Sequence, residues 1–292
     1  MLDQITPLIL TYNEAPNIVR NLQRLSWAKD VVVVDSLSTD ATIQLAQQFP
    51  NVRVFQRPFD THAQQWSFGL EQTEISTPWV LALDADYILT DEFIQEIDCL
   101  DPKSGPSGFS ARFIYCLQGK QLRSGIYPPV TVLYRHDCSR YEQDGHTQRV
   151  LVEGEIQNLR SRVLHDDRKP LRHWLKAQAR YAELEAQKLS SVRPEHLKPT
   201  DRMRRWIVVA PPAMFLYCLI VRFGLLDGWA GLHYAFERTI AETMLSLYLI
   251  NRKIGGSSRT KSPRRNSSRR RSISPIAATR RGCRRRMSWR AH

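Results

Sequence analysis

Short apolar runs alternate with segments of helical spacing through the first third of the chain. The apolar runs occupy residues 5–10, 31–34, 52–55 and 79–83, and each is as long as a typical buried strand. Apolar residues recur at helical spacing after Pro16, after Asp40 and over 62–73. Strands and helices that alternate in this way predict a parallel sheet with right-handed crossovers.

Two aspartates follow the fourth apolar run directly. Asp84 and Asp86 end the stretch 79–86, and residues two apart in an extended chain point to the same side. Both carboxylates can therefore face one cavity at the carboxyl edge of the sheet, where open α/β folds bind ligands. Such oxygen donors suit Mg²⁺ or Mn²⁺ that bridges to phosphate oxygens. The alternative interpretation is a loop with two solvated aspartates.

The loop after the first strand argues against two classes of nucleotide-binding protein. It contains neither Gly-x-Gly-x-x-Gly nor Gly-x-x-x-x-Gly-Lys, whose glycines let the backbone approach phosphates. Tyr12, Glu14 and Asp35 stand instead at predicted strand ends. An aromatic ring can stack on a base, and a carboxylate can accept from a base N–H or a ribose hydroxyl. Packing remains the alternative for Tyr12, and a turn for Asp35.

Three stretches, in order and at suitable spacing, resemble family 2 glycosyltransferases. They are Leu-Thr-Tyr-Asn-Glu (10–14), Val-Val-Asp-Ser-Leu-Ser-Thr-Asp (33–40) and Leu-Ala-Leu-Asp-Ala-Asp (81–86). The subgroup that the chain most resembles is the lipopolysaccharide-core β-1,4-glucosyltransferase-like proteins, over about residues 5–250. The resemblance implies an α/β fold of GT-A type, which is a nucleotide-diphospho-sugar transferase fold with a mostly parallel sheet flanked by helices.

The resemblance also implies roles for individual side chains. Those assigned to the nucleotide sugar are Thr11, Tyr12, Glu14, Asp35, Gln65 and Asp84. Asp84 and Asp86 would hold a Mg²⁺ or Mn²⁺ ion, and His165 would be a further ligand, although a histidine without a metal role is the alternative. The departures from the subgroup are Leu37 for a usual glycine, Ser67 for asparagine and Tyr87 for an acidic residue. These departures concern the sugar preference more than the fold.

A general base is the next requirement, because the resemblance implies inversion at the anomeric carbon. Such a base removes the proton of the acceptor hydroxyl while the nucleoside diphosphate leaves. The first candidate is Asp144, followed by Glu142 and His146, in a segment between two β-like runs. The subgroup often has a His-Glu pair here, where this chain has His146-Thr147. An ordinary acidic turn is the alternative.

The region after residue 200 combines an apolar run with a basic flank. Residues 202–205 contain three arginines and precede the uncharged run 206–221, which Pro211-Pro212 interrupts. The run is shorter than the roughly 20 residues that a spanning helix needs. A second apolar helix is predicted at about 232–250. This pattern favours helices that lie on an anionic membrane surface over core helices of a second lobe.

Charge is divided unevenly along the chain. Residues 253–292 hold 14 Lys and Arg and no acid, whereas 1–252 hold 28 basic and 29 acidic residues, a balance of −1 against +13 for the whole. The tail is predicted to be disordered, with non-specific affinity for anionic lipid or nucleic acid. The near-neutral remainder predicts no specific nucleic-acid partner. Scattered cysteines and the absence of a secretory signal predict a cytoplasmic protein, peripheral or monotopic at the inner face of the cytoplasmic membrane.

Together these features predict four regions. They are a nucleotide-sugar-binding half (1–100), an acceptor and catalytic half (101–200), an apolar helical membrane-associating segment (201–252) and a basic disordered tail (253–292).

The predicted function is metal-dependent transfer of a hexose from a nucleotide sugar to a saccharide or lipid-linked acceptor, in cell-envelope or lipopolysaccharide synthesis. One alternative is a metal-dependent phosphohydrolase or nucleotidyltransferase that uses Asp84 and Asp86. A phosphohydrolase with an aspartate nucleophile would usually carry such a pair after its first strand, whereas here it follows the fourth. The other alternative is a non-catalytic lipid or nucleic-acid binder that acts through the tail.

Overall fold

The computed structural model describes residues 1–101, 105–144, 147–193, 195, 197 and 199–258. Its strands are β1 (Ile5–Thr11), β2 (Val31–Asp35), β3 (Val52–Gln56), β4 (Trp79–Asp84), β5 (Tyr87–Leu89), β6 (Gly108–Leu117), β7 (Lys120–Gln121), β8 (Val130–Arg135), β9 (Ser139–Asp144), β10 (Thr147–Val152) and β11 (Ile156–His165). Its helices are α1 (Ile18–Gln23), α2 (Thr42–Ala46), α3 (His62–Glu71), α4 (Asp91–Asp98), α5 (Leu171–Ser191), α6 (Pro199–Arg204), α7 (Ala210–Leu216) and α8 (Trp229–Ser258).

The main sheet has a parallel half and a mixed half. Its strands lie in the order β3-β2-β1-β4-β8-β6-β11-β5. The first four are parallel, as the alternation of strands and helices predicts. In the second half, β8 is antiparallel to both neighbours, β11 is parallel to β6, and β5 is antiparallel to β11. The predicted α/β fold is therefore confirmed, and the structure adds the mixed half.

The short link between β4 and β5 curls this sheet. Only Ala85 and Asp86 separate the two strands, so the end of β4 and the start of β5 lie at most about 11 Å apart. In the sheet order, however, β8, β6 and β11 stand between them. The second half must therefore bend round until its edge strand returns to the end of β4.

The core lies on both faces of the parallel half, because helices cover each face. Val31 to Val34 of β2 are all at most 1% exposed, which explains the unbroken apolar run in the sequence. Alternate residues of these strands enter two apolar clusters, with Ile9 and Val33 in one and Leu8 and Val34 in the other. Burial on both faces holds the strand ends, and the loops that follow them, in fixed positions.

The helices after residue 200 are packed on one side and exposed on the other. Tyr234, Leu245 and Leu249 of α8 are buried against the rest of the protein. Trp206 and Trp229, in contrast, are 63% and 86% exposed. In the described part of the chain, no helix is both long and apolar enough to cross a membrane. The core interpretation fits the buried face, and contact of the exposed face with a membrane stays a prediction.

Two details of this region differ from the sequence prediction. Pro211-Pro212 lies in the first turn of α7 and begins a helix, because a proline there loses no intrahelical hydrogen bond. Helix α8 continues to Ser258, so the predicted tail begins as helix. The rest of the tail lies outside the described residues.

Asp227 joins the helical region to the sheet. It is 4% exposed, and its Oδ2 accepts hydrogen bonds from the Ser124 backbone N–H at 3.0 Å and the Ser124 hydroxyl at 2.8 Å. Its backbone carbonyl accepts from Lys120 Nζ at 2.7 Å. These bonds satisfy a buried carboxylate and fix the turn that leads into α8.

Gly231 allows the first turn of α8 to lie against that turn. A Cβ added at position 231 would lie 2.0 Å from the Gly224 carbonyl oxygen, which is backbone and has little room to move. We predict that Gly231→Ala destabilises the protein by about 1–3 kcal/mol, measured as a lower thermal midpoint. The control is Thr243→Ala, at an exposed position of the same helix. Equal midpoints for the two variants would contradict this packing.

Candidate active site

Three of the predicted site residues end neighbouring strands. In the register of the parallel half, Thr11 of β1 pairs with Asp35 of β2, and Leu10 pairs with Asp84 of β4. All three residues therefore stand at one edge of the sheet, as the sequence predicts, but the register puts Thr11 and Asp35 on one face and Asp84, level with Leu10, on the other.

Asp35 ties the loops after β1 and β2 together. It is completely buried, and its carboxylate accepts hydrogen bonds from the Thr11 hydroxyl at 2.7 Å, the Ser38 backbone N–H at 2.7 Å and the Ser38 hydroxyl at 2.5 Å. Leu37, where the resembling family has glycine, has a φ of 62°, in the left-handed region that favours glycine. The bonds of Asp35 hold this turn in place. Contact between Asp35 and a nucleoside stays a prediction.

Of the predicted nucleotide-sugar residues near this edge, Tyr12 is exposed and Gln65 is buried. The Tyr12 ring is 57% exposed and is free to stack on a planar ligand. Gln65 is completely buried, donates to the Ser36 hydroxyl at 2.8 Å and accepts from Arg57. Arg57 also pairs with Asp60 at 2.6 Å. Gln65 therefore supports the loop after β2 from below.

Asp86 and His165 form a buried pair. The antiparallel register of β5 and β11 sets His165 opposite Tyr87, so its ring lies beside Asp86. The distance from His165 Nε2 to Asp86 Oδ2 is 3.2 Å, and the side chains are 16% and 14% exposed. The other polar atom of each, Asp86 Oδ1 and His165 Nδ1, is buried without a hydrogen-bond partner among the described residues.

The charges of Asp84, Asp86 and His165 shift one another's pKa values. Burial, and then repulsion by Asp86, raises the pKa of Asp84 to about 6. Burial also acts against ionisation of Asp86, but His165 outweighs it and lowers the pKa of Asp86. Burial acts to lower the pKa of His165, whereas Asp86 and Asp84 raise it overall. A bound cation would relieve the repulsion between the two carboxylates.

The donor set fits a hard divalent cation. Two carboxylates and an imidazole are ligands that Mg²⁺ and Mn²⁺ accept, and the unpartnered Oδ1 of Asp86 is a buried oxygen that a cation would satisfy. Within the described ranges, however, no three His, Cys, Asp or Glu side chains already stand as a ligand cluster. Asp84, Asp86 and His165 are the residues that would hold the ion.

Lys169 is a site residue that the sequence did not reveal. Its Nζ contacts Glu14 Oε1 at 2.6 Å, and the pair is largely buried. Burial raises the pKa of Glu14 to about 7, even though Lys169 acts in the opposite direction. The charge of Asp86 also acts to raise the pKa of Glu14 and of Lys169. A lysine four residues after a site histidine has no sequence signal of its own.

Asn17 and Asn21, at the start of α1 and within it, form side-chain hydrogen bonds with the segments that carry the candidate site residues. Asn17 is completely buried and donates to Glu14 Oε2 and Asp167 Oδ1, each at 2.8 Å. Asn21 donates to the Asp84 carbonyl at 3.2 Å and the Tyr87 carbonyl at 2.7 Å. The two asparagines stand four residues apart, next to Ile18 and Leu22 on the buried face of α1. Their spacing could have indicated buried polar contacts, which the apolar pattern alone does not show.

The hairpin of β9 and β10 carries the predicted base candidates. It packs on α3, where the Tyr141 and Trp66 rings stack with centroids 5.4 Å apart. Burial, then Tyr134 and the nearby charge of Asp84, raise the pKa of Tyr141. Tyr141 is therefore the hairpin residue that senses the charge of a metal candidate. Glu142 is exposed and lies 3.8 Å from Arg140.

The other two base candidates are not located in detail. The backbone of Asp144 ends β9, whereas its side chain and the whole of His146 lie outside the described residues. None of the three candidates is thereby tested.

Comparisons with known proteins concern mainly the first hundred residues. Residues 8–97 match the family model "Glycosyl transferase family 2". An uncharacterized glycosyltransferase of Rickettsia felis is 35% identical over 98 residues, which are 33% of this chain and 34% of that protein. The lipopolysaccharide core biosynthesis glycosyltransferase LpsC of Rhizobium meliloti is 32% identical over 97 residues, 32% of this chain and 35% of LpsC. The chain thus spans about a third of the length of the curated relatives it matches.

Solved structures with a similar course of the chain share few residues with it. S. aureus TarS 1-349 in complex with UDP-GlcNAc is 15% identical with a TM-score of 0.45, covering 86% of this chain and 92% of that one. Glucosyl-3-phosphoglycerate synthase from Mycobacterium tuberculosis, in complex with Mn²⁺, UDP and phosphoglyceric acid, is 17% identical with a TM-score of 0.42. That match covers 64% of this chain and 78% of the synthase.

Loss of the Asp35 carboxylate should destabilise the edge. We predict that Asp35→Ala costs about 1–3 kcal/mol of unfolding free energy, because it leaves buried donors of Thr11 and Ser38 without acceptors. Denaturant unfolding measures this. Asp3→Ala is the control, because Asp3 is exposed. An unchanged midpoint for Asp35→Ala would show that the three bonds do not hold the loops.

Proposed function

We propose that this chain, whose residues 8–97 form a domain of glycosyl transferase family 2, transfers a hexose from a nucleotide sugar to a saccharide or lipid-linked acceptor. The match confirms the family predicted from three motifs, because all three lie within the matched residues. The fold is the GT-A-like α/β fold that the resemblance implied. The observation that carries the proposal is the position of Thr11, Asp35 and Asp84 at the same edge of the sheet.

The alternative of a phosphohydrolase or nucleotidyltransferase is less well supported. Either of these enzymes would use Asp84 and Asp86. Here, however, the pair follows β4 in a segment that matches the glycosyltransferase family model. A binder that acts through the basic tail concerns residues outside the described ranges, and it is compatible with a catalytic domain in the same chain.

In the proposed complex, the exposed Tyr12 ring stacks on the base and the carboxylate edge faces the diphosphate. Lys169 supplies a positive charge beside Glu14 and within reach of Asp86. A divalent cation held by Asp84, Asp86 and His165 would offset the negative charge of the leaving diphosphate. The support for this ion is that Asp86 and His165 lie 3.2 Å apart and each keeps one polar atom without a hydrogen-bond partner among the described residues.

The acceptor side of the reaction is assigned to the β9–β10 hairpin. A base there, with Asp144 the first candidate, removes the proton of the acceptor hydroxyl as it attacks the anomeric carbon. The hairpin lies close enough to Asp84 for its charge to reach Tyr141. Attack from the side opposite the diphosphate gives inversion, as the resemblance implies.

An anionic membrane surface is the proposed location of the acceptor, in cell-envelope or lipopolysaccharide synthesis. The support is the exposed apolar face of the helices after residue 200. The basic flank at residues 202–205 offers fewer free cations to an anionic surface than its sequence suggests. Arg204, for example, pairs with the buried Glu242 at 3.1 Å. Arg202 donates to the carbonyls of Leu197 and Glu195. Arg205 is exposed and remains available for lipid phosphates.

The metal assignment is tested first. We predict that Asp86→Ala weakens Mn²⁺-dependent binding of a nucleoside diphosphate at least about tenfold, because it removes a principal ligand. Calorimetry over a panel of nucleoside diphosphates, with and without Mn²⁺, measures the affinity. Asp91→Ala is the control, and circular dichroism verifies that each variant is folded. Equal affinity of Asp86→Ala and the parent protein would refute the assignment.

The base assignment needs a kinetic test. We predict that Asp144→Asn lowers kcat by about 10²–10⁴-fold, because a general base contributes about that much, while donor affinity stays unchanged. Transfer to the best acceptor of a saccharide panel measures kcat. Glu142→Gln and His146→Gln are tested in parallel, with Arg149→Gln as the control in the same hairpin. If a parallel variant shows the larger loss, the base is that residue and not Asp144.

A further inference from the structure

An open apolar groove lies between the segment before α7 and the end of α8. Its volume is about 430 Å³, within the range of ligand pockets. Trp206, Val208 and Val209 line it from one side, and Ile250 and Ile254 from the other. Neither this groove nor the cavity beside it is lined by any residue of the candidate active site.

The apolar side chains of the groove are unusually exposed. Val208 is 81% exposed, Ile254 66% and Trp206 63%. Single apolar residues are common on protein surfaces, but a contiguous apolar patch marks a site for a partner or a membrane. The occupant must therefore bring an apolar surface of its own.

The charged residues of the groove are all cations. Arg205 and Lys253 line the groove, and both also line an adjacent cavity of about 280 Å³ together with Arg252. Among the described residues, no acidic side chain lines either space. An arginine and a lysine beside an apolar wall suit a phosphate group joined to a hydrocarbon chain.

We propose that this groove binds an anionic membrane phospholipid. The acyl chain lies against Trp206, Val208 and Ile254, and the phosphate contacts Arg205 and Lys253. The chain's own tail has the wrong charge for this place, because residues 259–292 hold 13 Lys and Arg and no acid. The proposal rests on the membrane contact proposed above, and it does not depend on the transfer chemistry.

The test uses the full chain and a phospholipid that stays monomeric in water. Calorimetry compares dihexanoyl phosphatidylglycerol with dihexanoyl phosphatidylcholine, which has the same chains and no net charge, and with glycerol 3-phosphate, which has no chains. We expect the phosphatidylglycerol to bind at least about tenfold more tightly than either, because only it satisfies both the cations and the apolar wall. Equal binding of the two phospholipids, equal binding of glycerol 3-phosphate, or no binding of phosphatidylglycerol would overturn the proposal.

Variants locate the binding in the groove. Arg205→Glu with Lys253→Glu should weaken phosphatidylglycerol binding at least about tenfold. Lys29→Glu with Arg123→Glu changes the net charge equally at exposed positions outside the groove, and should leave that binding unchanged. Arg205→Gln with Lys253→Gln repeats the test without adding negative charge. Equal losses in the groove and the control pairs would show that the lipid senses only overall charge, and would refute the site.

A second measurement separates this proposal from the proposed function. Affinity for nucleoside diphosphate with Mn²⁺ is determined for the same variants, and should be the same in all of them. Lipid binding without any nucleotide binding would contradict the transferase function and support the groove. Nucleotide binding without a lipid preference would contradict the groove and leave the transferase function intact.

Discussion

The two-residue connection from β4 to β5 is the constraint on which the candidate site depends. Because Ala85 and Asp86 alone join the strands, the sheet has to curl until β5 and its partner β11 return to the end of β4. That return sets His165 within 3.2 Å of Asp86, although the two stand 79 positions apart in the sequence. The rings of Tyr87 and Tyr127, whose hydroxyls lie 2.7 Å apart, both pack against the His165 ring, with centroids 5.7 and 4.7 Å from it.

A buried polar network fixes the other side of the site. Asn17 and Asn21 connect α1 to the loop that follows β11 and to the loop that follows β4. Arg20 adds an ion pair with Asp166 at 2.7 Å. Since each buried polar group would cost free energy if it lost its partner, these segments keep one arrangement. The acidic pair can then meet a substrate without first being ordered.

The helices after residue 200 combine two properties that usually exclude each other. They pack firmly on the α/β part of the protein, through Asp227 and the buried face of α8, and they leave a wide apolar face in solvent. The ion pair between Arg204 and Glu242 shows how the charge here is shared between internal packing and the surface. Only the exposed cations, such as Arg205, are left to meet an anionic partner. The region is therefore both a structural support and a candidate contact surface.

Sequence periodicity by itself determined the strands and helices of the parallel half, because local spacing decides which residues of an element are buried. Since parallel strands end at the same edge of a sheet, it also placed Thr11, Asp35 and Asp84 at one edge. Motifs within that half also indicated the family whose model matches residues 8–97. Tertiary structure alone decided that Asp35 and Gln65 are buried supports, that Lys169 meets Glu14, and that Arg204 faces inward. Those contacts join residues distant in the chain. Their formation depends on how the sheet curls and the helices dock, which no local pattern encodes.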